Sequence, residues 1–224
     1  MDLDEIECWY SEQCLKHQKG CKKSCYKYDE IKSLMDKALI PIKMQKVHKM
    51  VVEACDKESF SELYNIKCDM KSFVAQGKSL YIFGKNTGNG KSTSAVKLLQ
   101  TYFDEIYYGN RFRTRGLFIS VPDFMSKLRQ IIKYPDDDFN RLLQLIKEVD
   151  LVIWDEIAAN NTKEYDIMTL LGLIEHRISN NKSNIYTSNC NQVEMNRILD
   201  DRLYSRIWQL SVKIELKGID KRYM

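Results

Sequence analysis

Apolar positions along the chain follow two periods that alternate. Short, nearly continuous apolar runs occur at 80–83 (LYIF), 116–121 (GLFISV) and 151–154 (LVIW), a strand-like segment ending in polar residues at 184–189 (NIYTSN), and a run with strict alternation at 212–216 (VKIEL). Each is bounded by glycine or polar residues and reads as a strand. Between them, apolar residues recur every three or four positions. Ile31, Leu34, Met35, Ala38 and Leu39 form one such stripe, ended by Pro41, and a helix over 69–76 leads through Gly77 to the first strand. Further helical patterns cover 93–103, 122–133 and 136–149, the last with Phe139, Leu142, Leu143 and Ile146 as its stripe behind the acidic start Asp136–Asp138. Ile167, Leu170, Leu171, Ile174 and Ile178 mark a helix over 163–180, and another is expected over 196–207 with Arg202 and Arg206 four apart on one face. Strands alternating with helices predict an α/β domain built on a mainly parallel sheet, because parallel neighbours need a crossover element.

The chain has 224 residues, 44% hydrophobic and 29% charged, with a formal net charge of +4. That balance suits one medium domain with an appendage and permits a nucleic-acid partner without demanding one. No apolar run approaches the ~18 residues of a membrane span. The first residues, Met-Asp-Leu-Asp-Glu-Ile-Glu, are acidic where a secretory signal is basic. A cytoplasmic protein is therefore expected, a setting where clustered cysteines point to metal rather than to disulfides. Four of the seven cysteines, Cys8, Cys14, Cys21 and Cys25, fall in the first 25 residues with spacing C-x5-C-x6-C-x3-C. Four thiolates can close a tetrahedral Zn²⁺ site, with His17 able to replace one of them. The expected organisation is a cysteine-rich segment over 1–28, a helical linker over 29–64 and the main domain over 65–224.

Chemistry concentrates where the first strand ends. Gly84-Lys85-Asn86-Thr87-Gly88-Asn89-Gly90-Lys91-Ser92-Thr93 joins that strand to a helix, the setting of a phosphate-binding loop. Glycines let successive N–H groups turn inward, and the helix N-terminus adds partial positive charge. Lys91 can reach the β- and γ-phosphates, and the Ser92 hydroxyl can ligate Mg²⁺. Five residues separate Gly84 from Gly90, one more than the usual spelling, so the bend holds an extra residue. The 151–154 strand ends in Asp155-Glu156. Asp155 suits the Mg²⁺ shell beside Ser92, and Glu156 suits a water in line with the γ-phosphate. In a parallel sheet the end of 184–189 falls nearby, so Asn189 can bond the γ-phosphate or that water. Arg111, Arg113 and Arg115, at alternate positions of an extended segment, read first as a solvated loop with a phosphate contact as the alternative, and His176 reads as a surface residue. Segment 47–64, with Phe60, Leu63 and Tyr64, is a candidate neighbour of a bound base.

Together, GKNTGNGKS at 84–92, LVIWDE at 151–156, IYTSN at 185–189, DRLYSRI at 201–207 and GIDKR at 218–222 resemble the AAA+ helicase loaders of the DnaC/DnaI type, especially those encoded by phages and mobile elements of Gram-positive bacteria. The resemblance covers about residues 65–222. It implies a three-layer P-loop NTPase sandwich around a five-stranded sheet, and an ATPase that is weak until assembled. ATP and Mg²⁺ would be its ligands, with Gly84, Asn86–Thr93 and Asp155 around them. It implies a replicative hexameric helicase and single-stranded DNA as partners, and ATP-dependent self-association. Asn189 corresponds to a sensor residue, Arg206 to an arginine finger inserted into a neighbouring subunit, Arg202 to the reserve candidate, and Arg222 to a second sensor. Helices between 122 and 149, with Lys127, Arg129 and Lys133, would face DNA. The cysteine cluster is similar in kind to the zinc-bearing, helicase-binding region of DnaI-like loaders. Two rival readings share the core motifs: an IstB-like transposition helper and a zinc-bearing adaptor that uses ATP only as a binding switch.

Overall fold

The computed structural model describes residues 25–45, 52–110, 113–131, 134, 136–158 and 164–220. Its centre is one five-stranded sheet: β1 (Ser79–Phe83), β2 (Gly116–Ser120), β3 (Leu151–Asp155), β4 (Ser183–Ser188) and β5 (Ser211–Glu215). The spatial order is β2-β3-β4-β1-β5 and every pair is parallel. All five carboxyl ends therefore open on one edge of the domain, where the loops that carry chemistry begin.

Period-two alternation sorts each strand's side chains between two cores. Leu80, Ile82, Leu151, Ile153 and Ile185 face one helical layer, with Leu99 and Phe103. Tyr81, Val152, Trp154 and Tyr186 face the other, with Phe124, Ile146 and Ile174. Both faces of the central strands are covered, which is why they read as apolar runs rather than alternating ones. β5 lies at the edge and buries Ile214, but the alternation expected there is broken because Val212 is exposed beside Lys213.

One layer consists of α1 (Tyr26–Lys37), α2 (Ile42–Gln45), α3 (Lys57–Cys68), α4 (Met70–Ala75) and α5 (Lys91–Ile106). Segment 29–64, expected as a linker, supplies part of this layer: Ile31, Leu34, Met35, Ala38 and Ile40 are all buried in its core. The Phe118 N–H donates to Ala38 O at 2.7 Å, fastening the end of α1 to β2. The other layer holds α6 (Val121–Ile131), α7 (Asp137–Glu148) and α8 (Glu164–Ser179). Asp136 caps α7 by accepting the N–H groups of Asp138 and Phe139. No helix among the described residues is long and apolar enough to cross a membrane.

The helix expected over 196–207 is not continuous. α9 (Gln192–Ile198) ends at Leu199, whose backbone is extended, and α10 (Asp201–Tyr204) restarts under Asp200, which accepts the Leu203 N–H at 2.8 Å. A single π turn, Ser205–Gln209, follows. The reason is local: Asn191, with Glu194, forms a capping box, and Asp200 is a second good N-cap, so two short helices satisfy more backbone donors than one long one. Arg202 and Arg206 therefore sit on different elements.

Arg177 in α8 is wholly buried. Its guanidinium donates to Ile146 O at 2.6 Å, Val149 O at 2.9 Å and Ser183 O at 2.5 Å, and to Asn184 Oδ1 at 2.8 Å. It closes the end of α7 and ties that helix to β4, while burial pulls its pKa down to about 10. Arg177→Ala leaves these acceptors in a dry core and should destabilise the fold by about 3 kcal/mol. Urea unfolding checks this; a loss below about 1 kcal/mol would rule out the bolt-like role.

Candidate functional site

Phosphate-loop geometry follows from three glycines and one lysine. A Cβ on Gly84 would lie 2.0 Å from Leu216 O, so only glycine lets β1 turn so close to the strand beside it. Gly88 and Gly90 adopt φ of 67° and 102°, left-handed conformations that turn the backbone into α5. Lys91, only 7% exposed, opens that helix. Its ammonium donates to Gly84 O at 2.9 Å, Asn86 O at 2.8 Å and Asn89 Oδ1 at 3.0 Å. Loop and lysine thus shape each other.

The amide nitrogens of Asn86 and Asn89 reach from the loop to the chain after β5, while the Asn89 oxygen holds Lys91. Asn89 Nδ2 donates to Leu216 O at 2.7 Å, and Asn86 Nδ2 donates to the carbonyls of Lys217 and Gly218. The chain after β5 is held from its other side by two carboxylates. Asp56, fully buried, accepts the N–H groups of Lys217 at 2.7 Å and Gly218 at 3.0 Å, and Glu53 accepts that of Ile219. Asp220 reaches Thr87 Oγ1 and lies against Gly88. Sequence reasoning missed Glu53, Asp56 and Asp220; the GIDKR motif was the one signal near them.

Across the site, β3 delivers Asp155 and Glu156. A cavity of about 340 Å³ is walled on one side by the loop from Thr87 to Thr93 and on the other by Asp155, Glu156 and the end of β4, Thr187 to Asn189. Met44 of α2 completes the lining. Ser92 and Asp155 thus offer a hydroxyl and a carboxylate to one space. Hard oxygen donors in small number are what Mg²⁺ takes when phosphates and waters fill its other positions. The residues present fit that ion, with the Ser92 hydroxyl and the Asp155 carboxylate as oxygen donors on that cavity. Two backbone bonds set the distance between the walls: Gly84 N–H donates to Ser188 O at 3.2 Å, and Ile157 N–H donates to Thr187 O at 2.9 Å.

The remaining candidates lie elsewhere. Arg206, on the π turn, pairs with Glu175 of α8 at 3.3 Å, and neither it nor Arg202 lines the cavity. Arg129 is bound to the buried carboxylate of Asp166, its Nη2 at 2.5 Å, so of the basic residues expected to face DNA this one is committed to the fold. Arg115 likewise donates to Asp150 at 2.5 Å, in a network with Tyr102 and Lys182. Burial works against the Asp150 charge, but the hydrogen bonds from Arg115 and Tyr102 with the nearby cations outweigh it and lower the Asp150 pKa. His176 is exposed, as expected. Arg222, Lys133, Arg111, Cys8, Cys14, Cys21 and His17 lie outside the described residues. Cys25 is a half-buried thiol just before α1, and the described residues contain no group of three or more His, Cys, Asp or Glu able to hold a metal.

No family model matches the chain. Over 130 residues, 57% of the chain, it is 25% identical to the replicative helicase loader DnaC of Escherichia coli (strain K12), and it spans about half, 49%, of that relative's length. Among solved structures it is similar to the DnaC helicase loader, with a TM-score of 0.63 at 16% identity over 75% of this chain and 94% of the other. DnaI gives a TM-score of 0.61 at 19% identity over 80% and 95% of the two chains. The replication initiator DnaA bound to AMPPCP and single-stranded DNA gives 0.59 at 18% identity over 80% and 51%. The fold, a five-stranded parallel sheet between two helical layers, is the one these solved structures share.

Proposed function

We propose that this chain is an ATP-dependent loader that delivers a replicative hexameric helicase onto single-stranded DNA, with ATP binding favouring assembly and hydrolysis favouring release. One observation carries the proposal: the loop, the acidic pair and the end of β4 wall a single cavity. Similarity to DnaC supplies the partner class, since that relative is a replicative helicase loader. DnaA, with the same fold, holds a nucleotide analogue and single-stranded DNA.

In this reading the loop N–H groups and the N-terminus of α5 receive the triphosphate. Lys91 then exchanges loop oxygens for phosphate oxygens. Ser92 and Asp155 would hold Mg²⁺, which would supply positive charge against the phosphates. Glu156 takes the proton of the attacking water, and Asn189 orients that water or the γ-phosphate. Arg206 lies outside the cavity of its own chain, which suits a residue supplied in trans to a neighbour; Arg202 is the alternative finger, and Arg222 a second sensor. Such a finger contributes about 10³–10⁵ in rate, so a lone chain should hydrolyse ATP slowly.

Mixing the chain with its host's hexameric helicase, with and without ATP, tests this directly by light scattering. A heavier, ATP-dependent complex is expected, and Arg206→Ala should keep nucleotide binding while losing stimulated hydrolysis. No complex under either condition would overturn the loader reading. Stimulation of a transposase instead would favour the transposition helper. ATP binding without turnover, even with helicase and DNA present, would favour the adaptor.

A further inference from the structure

We infer that Thr187 is a positioning residue that sets both acids of the site, Asp155 and Glu156, through one hydroxyl. This rests on the nucleotide-site reading above. Parallel pairing between β3 and β4 reaches Trp154 and Tyr186. One step further, the ladder is replaced by side-chain bonds. Thr187, 1% exposed, donates its hydroxyl proton to Asp155 Oδ1 at 2.6 Å. The same oxygen accepts the Glu156 N–H at 3.1 Å, and the Thr187 carbonyl accepts the Ile157 N–H at 2.9 Å. A hydroxyl has one proton; with its oxygen receiving an N–H, that proton goes to the carboxylate.

Glu156 has φ of 58°, a left-handed conformation that a non-glycine residue adopts only when its surroundings hold it there. Two of those holds come from Thr187. Asp155, at the lip of the cavity, can swing about its side-chain torsions unless something fixes one oxygen; Thr187 fixes it, leaving the other oxygen to serve a cation. The β-branched side chain is itself stiff in a strand, so the hydroxyl points one way. The next residue extends the arrangement: the Ser188 carbonyl accepts the Gly84 N–H at 3.2 Å. Two successive β4 residues thus tie down the acidic turn and the entrance to the phosphate loop, fixing the span a metal-bound triphosphate must bridge. Outer partners that orient a ligating carboxylate commonly govern metal affinity by 10- to 100-fold.

Thr187→Val keeps the shape and removes the hydroxyl, Thr187→Ser keeps the hydroxyl, and Thr187→Cys leaves a weak donor. The test titrates a fluorescent ATP analogue into each full-length variant, first in EDTA and then at rising Mg²⁺. The EDTA titration gives each variant's own metal-free affinity, against which its Mg²⁺ response is read. The valine variant's Mg²⁺ concentration for half-maximal tightening should rise about tenfold, with serine returning it to within about twofold of wild type. Coincident valine and wild-type Mg²⁺ curves would overturn the inference while leaving the nucleotide site standing. A wild-type protein that binds no analogue would instead remove the reading beneath it. Should the valine variant not fold, the ranking serine below cysteine in Mg²⁺ requirement supports the role, and equal values reject it.

Discussion

Lys91→Ala is expected to abolish measurable ATP binding, weakening affinity at least about 100-fold, or roughly 3 kcal/mol. Two losses combine. The ammonium sits within the loop's own oxygens, and charge-assisted bonds to phosphate oxygens are among the stronger polar contacts. It also gathers Gly84 O, Asn86 O and Asn89 Oδ1 within 3.0 Å, so alanine leaves three oxygens without the donor around which the loop is curled. Calorimetric titration measures the first loss, and a melting curve shows whether the second reaches the fold. Affinity equal to wild type would mean that the triphosphate does not sit on this loop.

Glu156→Gln should separate binding from turnover. The Thr187 bond to position 156 uses the backbone N–H, so glutamine keeps the left-handed turn and the cavity wall. What disappears is the base assigned above by proposal, and removing a well-placed general base slows proton transfer by about 10²–10⁴. Single-turnover hydrolysis in the presence of helicase and DNA, the conditions under which the proposal expects the site to be complete, gives the cleanest comparison. Binding within a fewfold of wild type and turnover at least about 100-fold slower is expected. Near-normal turnover would strike Glu156 from the mechanism and shift attention to Asp155 or to a group from a neighbouring chain.

Features that depend on neighbouring residues were legible in the sequence. All five strands, their parallel arrangement and the convergence of Lys91, Ser92, Asp155, Glu156 and Asn189 follow from apolar periods and the position of each motif at a strand end. Features that depend on distant partners were not. Arg177 sits in a helical stripe and looks like any surface arginine until α7 and β4 close over it. Arg129 and Arg115 carry the same charge as a DNA contact would, yet Asp166 and Asp150 claim them. Thr187 was passed over in favour of its neighbour Asn189, because nothing local reveals that Asp155 lies across from it. The break at Leu199 and Asp200 was readable in principle, since Asp200 is a strong cap. Helical spacing of apolar residues through 207 masked it.

Nor can the phosphate loop be lifted out as a short cassette. Asn86 meets Gly218 across 132 positions of chain, and Asp56 meets that same glycine across 162. A peptide spanning only β1, the bend and α5 would carry every residue of the motif and none of the carbonyls its asparagines grip. Grafted onto another scaffold, the letters would travel without the curvature, because early and late parts of the polypeptide jointly hold that bend in shape.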